Sequence, residues 1–212
     1  MEIYPRKLQR EQIYMVQIIE KPDWVTWDDI HEVIWESHES NRQKGIRMRF
    51  PALPGEEIRK RVEGNGKMFV ALDGKKVVGT AAIIKKKTHL WCGKGEYAYL
   101  CFASVLQNYK GQGVYKQLNQ YIERESQRIG LKRVLFDTHE RNTRIVDINL
   151  KHGYKRVSYK RYDDHYSVIF VKWLDGCPFS STRCRFEFAK QWFVVKTIFI
   201  IKSFESLFHV VH

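Results

Sequence analysis

Residues 105–115, Val-Leu-Gln-Asn-Tyr-Lys-Gly-Gln-Gly-Val-Tyr, constrain this chain more than any other stretch. They join an apolar segment, Tyr97 to Val105, that reads as a strand to one that reads as a helix. In the second segment the apolar residues Val114, Leu118, Tyr121, Ile122 and Ile129 recur at helical spacing. A glycine-rich turn between strand and helix leaves several backbone N–H groups unpaired at the positive end of a helix dipole. Such a turn cradles an anion, and a pyrophosphate fits it. Gly111 and Gly113 allow close approach, and Lys110 adds a mobile positive charge. An ordinary tight connection would show the same two glycines. Spacing excludes two better-known phosphate motifs. The closing Gly-Lys-Ser/Thr of a P-loop is absent, and Lys116 stands where the dinucleotide fingerprint needs its last glycine.

Taken whole, the turn resembles motif A of the GNAT family of acetyl-CoA-dependent N-acetyltransferases, whose core reads Arg/Gln-x-x-Gly-x-Gly/Ala. Here that core falls on Lys110, Gly111, Gln112, Gly113, Val114 and Tyr115. Lys110 departs from the pattern but keeps the charge. Tyr115 replaces a small residue, so its ring must point away from the pyrophosphate or reshape that end of the cradle.

A second block, residues 142–154, resembles the family's Asn-x-x-Ala-x-x-Leu-Tyr-x-x-x-Gly-Phe element. Read on its own it is a helix with Asn142 as N-cap, Ile145, Ile148 and Asn149 on one face, and Gly153 as left-handed C-cap. The resemblance implies that Asn142 contacts the pantetheine arm. It puts Asn149 where the family often has the tyrosine that protonates the leaving thiolate. An amide cannot be that acid, although it can hydrogen-bond the sulfur. The plain reading of Asn149 is a helix-surface amide. The two blocks stand in the family's order and separation.

The resemblance also implies that Phe102, Ala103, Ser104 and Val105 pair with the pantetheine like an added strand, one N–H polarising the thioester carbonyl. Candidates for the general base are Glu96 and Tyr99. By alternation Tyr97, Tyr99, Cys101, Ala103 and Val105 share one face, with Glu96 on the other unless a bulge intervenes. Glu96 by itself reads as a solvated strand-end carboxylate. His139 and His152 can titrate near neutral pH, yet as loop residues both read most simply as exposed. His31 and His38 carry no His-Glu-x-x-His pattern, so no metal is expected.

The chain has 212 residues, 43% of them hydrophobic, enough for one full core with an appendage. Its net charge of +13 favours polyanionic partners, whether CoA, nucleic acid or an acidic surface. Four cysteines form no CxxC pair; Cys101 reads as a small core residue, and a Cys177–Cys184 bridge is conceivable. No apolar leader precedes a cleavage site, so a cytoplasmic location is expected.

Periodicity predicts a strand over Ile13 to Ile19, helices over Thr26 to Ser40 and Gly55 to Glu63, and a hairpin at Asp73-Gly74. Strands follow at Val134 to Thr138, Tyr154 to Tyr159 and Tyr166 to Trp173, the last two forming a hairpin over Asp163-Asp164. The expected fold class is α/β (α+β), a mixed, mostly antiparallel sheet with helices on both faces, filling residues 1–174. Residues 175–212 form a separate apolar, basic extension. There Phe188, Trp192, Val195 and Phe199 follow helical spacing, although Phe193 to Ile201 also suits a strand. That extension packs on its own domain, makes a homodimer contact, or lies on a membrane surface. Lys196, Lys202 and Glu205 interrupt any transmembrane run.

For the acceptor, the resemblance points to Trp24, Trp27, Trp35, His38, Arg47, Arg49, Phe50, Trp91, Tyr162 and Tyr166, with most tryptophans also suited to core packing. The loop Lys85-Lys86-Lys87-Thr88-His89 would repel a polyamine or attract a phosphorylated or nucleic-acid-linked acceptor. The expected activity is direct transfer of acetyl from acetyl-CoA to a small-molecule or peptide amine in a ternary complex, without a metal. The competing reading is a non-catalytic CoA-responsive or nucleic-acid-binding protein on the same fold.

Overall fold

Short apolar runs separated by glycine-bearing turns pair into a seven-stranded sheet. Its strands are β1 (Gln17–Glu20), β2 (Gly66–Asp73), β3 (Lys76–Thr88), β4 (Gly95–Val105), β5 (Arg133–His139), β6 (Lys155–Arg161) and β7 (Tyr166–Trp173). The order is β1-β2-β3-β4-β5-β7-β6, antiparallel throughout except for β4 beside β5. The computed structural model describes residues 16–46, 50–88, 94–162, 165–180, 182–183, 185–194 and 197. Expectations resting on Ile13, Arg47, Arg49, His89, Trp91, Cys92, Asp163, Asp164, Cys184, Val195, Lys196, Phe199, Lys202 and Glu205 lie outside the described residues.

Helices cover both faces. On one, α1 (Trp27–Ser37) and α3 (Gly55–Val62) bury Ile30, Ile34, Ile58 and Val62 against Met68, Val70, Leu72 and Ala82. On the other, α4 (Val114–Arg128) and α5 (Thr143–Lys151) bury Val114, Leu118, Ile122 and Val146 against Phe69, Ala81, Ile83, Ala98 and Leu100. Four wholly buried aliphatic side chains on the α1/α3 face alone are worth ~6–12 kcal/mol of transfer free energy. The first helix begins with a capping box, Thr26 and Asp29 each satisfying the other's backbone N–H.

Three expectations change. The helix expected to run to Ser40 stops at Ser37, because His38 leaves helical geometry at ψ 5°, and a short α2 (Glu39–Gln43) follows. The expected lysine loop is strand: Lys85, Lys86 and Lys87 pair with Ala98, Tyr97 and Glu96, so β3 and β4 form a long ladder. Strict alternation along β4 also fails. Phe102 takes φ +53°, and Phe102 with Ala103 opposes the single residue Ala81, between the pairs Ala82↔Cys101 and Thr80↔Ser104. This bulge swaps the faces, so Ala98 and Leu100 but then Val105 point toward α4, while Phe102 packs with α1 and α3.

The described residues of 182–194 are helical, and Phe188 stacks on Tyr159 at 5.0 Å while Phe186 and Phe193 stay exposed. No helix among the described residues is long and apolar enough to cross a membrane.

Candidate functional site

The chain leaves β4 at Val105, makes a single 3-10 turn over Gln107–Tyr109, and enters α4 through Lys110 to Gly113. Tyr109 anchors the turn from below, buried, with its hydroxyl donating to Asp73 Oδ2 at 2.7 Å. Gly111 at φ +87° and Gly113 at φ +81° hold left-handed backbone that only glycine adopts without strain. A Cβ on either would meet nothing within 4 Å, so the space in front of the turn is open. Gly113 is the N-cap of α4 and brings no side chain to cap it, which leaves the first-turn N–H groups facing that space.

Lys110 does not wave freely over the cradle. Its ammonium donates to the carbonyl of Ser37 at 2.8 Å, tying the turn to the negative end of α1. Burial first, and then Arg144, hold Lys110 below the ordinary lysine range. Arg144, in the first turn of α5, is therefore a second cation beside the cradle, and no sequence motif had singled it out.

Past the cradle the sheet splits. β4 and β5 pair only at Ala98↔Val134 and Tyr99↔Leu135, although among the described residues β4 continues to Val105 and β5 to His139. The bulge at Phe102 turns β4 away, and the buried Thr80 hydroxyl donates to the Phe102 carbonyl at 2.8 Å, pinning the turn. The edge of Phe102, Ala103, Ser104 and Val105 that faces β5 is thus left without a strand partner. At this edge Ser104 lies 3.3 Å from His38 Nε2, while the Asn41 amide reaches His38 Nδ1 at 3.0 Å. Burial, reinforced by Lys110 and Arg42, pulls the His38 pKa down to about 4, so the imidazole is neutral at pH 7. In the sequence His38 stood out only as one of several acceptor-side residues and, with His31, as part of no metal pattern.

On the α4/α5 side of the wedge, Asn149 is fully buried, not the surface amide of the plain reading. Its Nδ2 donates to Ile145 O at 2.9 Å and to the Tyr115 hydroxyl at 3.0 Å. Tyr115 turns away from the cradle into the core, its ring 6.3 Å from that of His152. Burial raises its pKa, so the phenol stays protonated. Asn142 precedes α5 and is buried, but its side chain makes no capping hydrogen bond.

On the opposite face of the sheet, Tyr99 donates to Asp137 Oδ1 at 2.5 Å and Tyr162 to Asp137 Oδ2 at 3.3 Å. Burial, and then the Asp137 charge, push the Tyr99 phenol far above the usual tyrosine range. Lys86 lies 3.8 Å over the Tyr99 ring and Lys160 4.6 Å over the Tyr162 ring. The Tyr162, His165 and His139 rings stack in turn at 4.8 and 4.4 Å. His139 is buried rather than exposed. Glu96 stands apart from this cluster: exposed at the start of β4, it pairs with Lys85 at 2.8 Å, and the Lys85 hydrogen bond lowers its pKa. Burial pushes the Cys101 thiol up to about 12, which leaves it inert.

Sequence motifs had pointed to the turn, the β4 edge, Asn142, Asn149, Tyr99 and Tyr162. They had not singled out Asp137, whose strand position gives no local signal, or Lys86, whose lysine run resembles a loop. Among the described residues there is no group of three or more side chains fit to hold a metal.

A model of the acetyltransferase (GNAT) family matches residues 27–154, from the start of α1 to the end of the second block. The fold is similar to that of an acetyltransferase from Streptococcus agalactiae, at 18% identity over 74% of this chain and 98% of that one, with a TM-score of 0.59. It is also similar to aminoglycoside 6'-N-acetyltransferase complexed with coenzyme A, at 14% identity over 77% and 99% of the two chains, TM-score 0.57. Arabidopsis thaliana NAA60 in complex with acetyl-CoA aligns at 16% identity over 76% and 99%, TM-score 0.57. No curated protein matches the chain.

Proposed function

The chain belongs to the GNAT acetyltransferase family, and on that premise we propose that it moves an acetyl group from acetyl-CoA to a primary amine by direct attack within a ternary complex. The observation that carries this reading is the parting of β4 from β5 beside an open, glycine-lined helix N-terminus. A diphosphate fits the backbone N–H groups of Gly111 to Val114, with Lys110 and Arg144 supplying positive charge. The strand edge of Phe102, Ala103, Ser104 and Val105 offers N–H and C=O groups to an amide-bearing arm, as an added strand would. Asn142, buried just ahead of α5 with no capping hydrogen bond from its side chain, would contact the same arm, as the family resemblance implies.

Acetyl-CoA supplies the activated acyl group; the remaining work belongs to the chain. An N–H of the bulged edge polarises the thioester carbonyl. The acceptor ammonium is drawn to Asp137, which takes up its proton and leaves the amine neutral for attack. Tyr99, held protonated, orients Asp137 and cannot itself be the base. Glu96, occupied by Lys85 and nine residues ahead of Val105, ~30 Å along the strand, is the weaker candidate. On the other side, the protonated Tyr115 hydroxyl, positioned by Asn149, is the donor for the departing thiolate.

The test has two arms: calorimetric titration with acetyl-CoA, and release of CoA thiol across an amine panel. The expected result is saturable binding with amine-dependent release, and for Asp137→Asn unchanged binding with release down by about 10². Binding without release for any amine would favour a CoA-responsive protein instead. Absence of binding would overturn the reading altogether.

A further inference from the structure

Resting on the acyltransferase reading, we infer that the acceptor is an amine carrying an anionic group, a carboxylate or a phosphate, near the nitrogen that is acetylated. Asp137 receives the ammonium end, and Lys86 and Lys160 receive the anion.

The inference starts from an imbalance of charge. Asp137 is the carboxylate of the cluster, and both its oxygens are already taken by the hydroxyls of Tyr99 and Tyr162. Three cations act on the same space: Lys86 feels Asp137, Lys160 and Arg61, and Lys160 feels Asp137 in turn. Three positive charges against one negative leave the cluster at +2. Among the described residues neither lysine forms an ion pair with Asp137. Each instead lies over the ring of a tyrosine that grips it.

Lys86, Lys160 and Arg61 are all exposed, and gathering three cations around one carboxylate is unfavourable unless something offsets it. Consistently, Lys86 is held below the ordinary lysine range, first by partial desolvation and then by the charges of Lys160 and Arg61. An anion between Lys86 and Lys160 would relieve that repulsion.

The arrangement also discriminates. A polyamine would set a second ammonium against Lys86 and Lys160. A neutral amine would use Asp137 and leave the lysines uncompensated. Only an acceptor with opposite charges at its two ends satisfies every group. The cluster lies on the sheet face away from α4 and its cradle, so the acceptor approaches the wedge from the side opposite the nucleotide.

The experiment measures thiol release with matched probes: phenylalanine against phenylalaninamide, phosphoethanolamine against ethanolamine, and spermidine. Each probe is also titrated calorimetrically into the CoA-saturated protein, so that binding is read independently of turnover. The expected result is that the anionic member of at least one pair leads its neutral partner by about tenfold in kcat/KM or affinity, with spermidine weakest. Which pair shows the preference tells carboxylate from phosphate. Lys160→Met, at an exposed position, is expected to shrink that ratio through KM rather than kcat. Equal or better use of the neutral members or of spermidine, a ratio unmoved by Lys160→Met, or no binding of any anionic probe would overturn the inference. The acyltransferase reading fails separately, through loss of acetyl-CoA binding or of release with every amine.

Discussion

Gly113→Trp separates the cradle from the scaffold that carries it. Gly113 sits at φ +81° as the N-cap of α4, with open space where a side chain would project. A non-glycine residue there costs ~1–2 kcal/mol in backbone strain, and each kcal/mol lowers Tm by ~2–4 °C in a chain of this size. The fold therefore survives. Binding does not, because the indole fills the volume a diphosphate needs. Two charge-assisted hydrogen bonds from the cradle are worth ~3–6 kcal/mol, so their loss weakens binding by ~10²–10⁴-fold.

Gly130→Trp is the control. Its φ of +77° carries the same strain, nothing lies within 4 Å of its Cβ, and it ends the same helix ~25 Å away. Calorimetric titration with acetyl-CoA and thermal unfolding of both variants decide the matter. Comparable losses of Tm with affinity lost only in Gly113→Trp are expected. If Gly113→Trp is folded and binds within about threefold of the wild type, the cradle is not the nucleotide site.

His38 makes acid stability a second test. Its pKa is about 4 in the fold against 6.5 in the unfolded chain, so the unfolded state takes up the proton first as pH falls. Stability present above pH 6.5 is then lost between 6.5 and 4, by ~3 kcal/mol. His38→Gln should flatten that loss in urea unfolding at pH 7 and 4.5; parallel curves would dismiss the buried neutral imidazole. Thr80→Val leaves the Phe102 carbonyl without its donor, at ~1–3 kcal/mol, and should weaken acetyl-CoA binding as the bulge relaxes. Unchanged affinity despite a lower Tm would disconnect the bulge from the site. Tyr115→Phe should cost ~1–2 kcal/mol of stability and reduce kcat by about 10², with CoA affinity held. A lower Tm with intact kcat would confine the hydroxyl to a structural role.

Much of the architecture was legible because its signals are local. Gly74 turns β2 into β3, the capping residues Thr26 and Asp29 start α1, and the alternation in β5 to β7 needs only neighbours in sequence. The misreadings arose where distant groups overrode local preference. Lys85 to Lys87 read as a loop, but pairing with Ala98, Tyr97 and Glu96 makes them strand. Asn149 read as a surface amide, but α4 brings Tyr115 over it. Asp137 carried no local signal, because its neighbours Tyr99 and Tyr162 lie 38 and 25 residues away.

By itself the sequence determined the order of elements, the glycine turn ahead of α4 and the family resemblance. All three follow from backbone chemistry at short range: glycines that accept positive φ, caps, and the period of apolar side chains. The tertiary structure alone decided that β4 and β5 part after two residue pairs, that Phe102 reverses the faces of β4, and that Lys86, Tyr99, Asp137, Lys160 and Tyr162 share one charged cluster. Those outcomes depend on which strands become neighbours across the sheet, and on the burial and field each group then experiences. Spacing along the chain encodes neither.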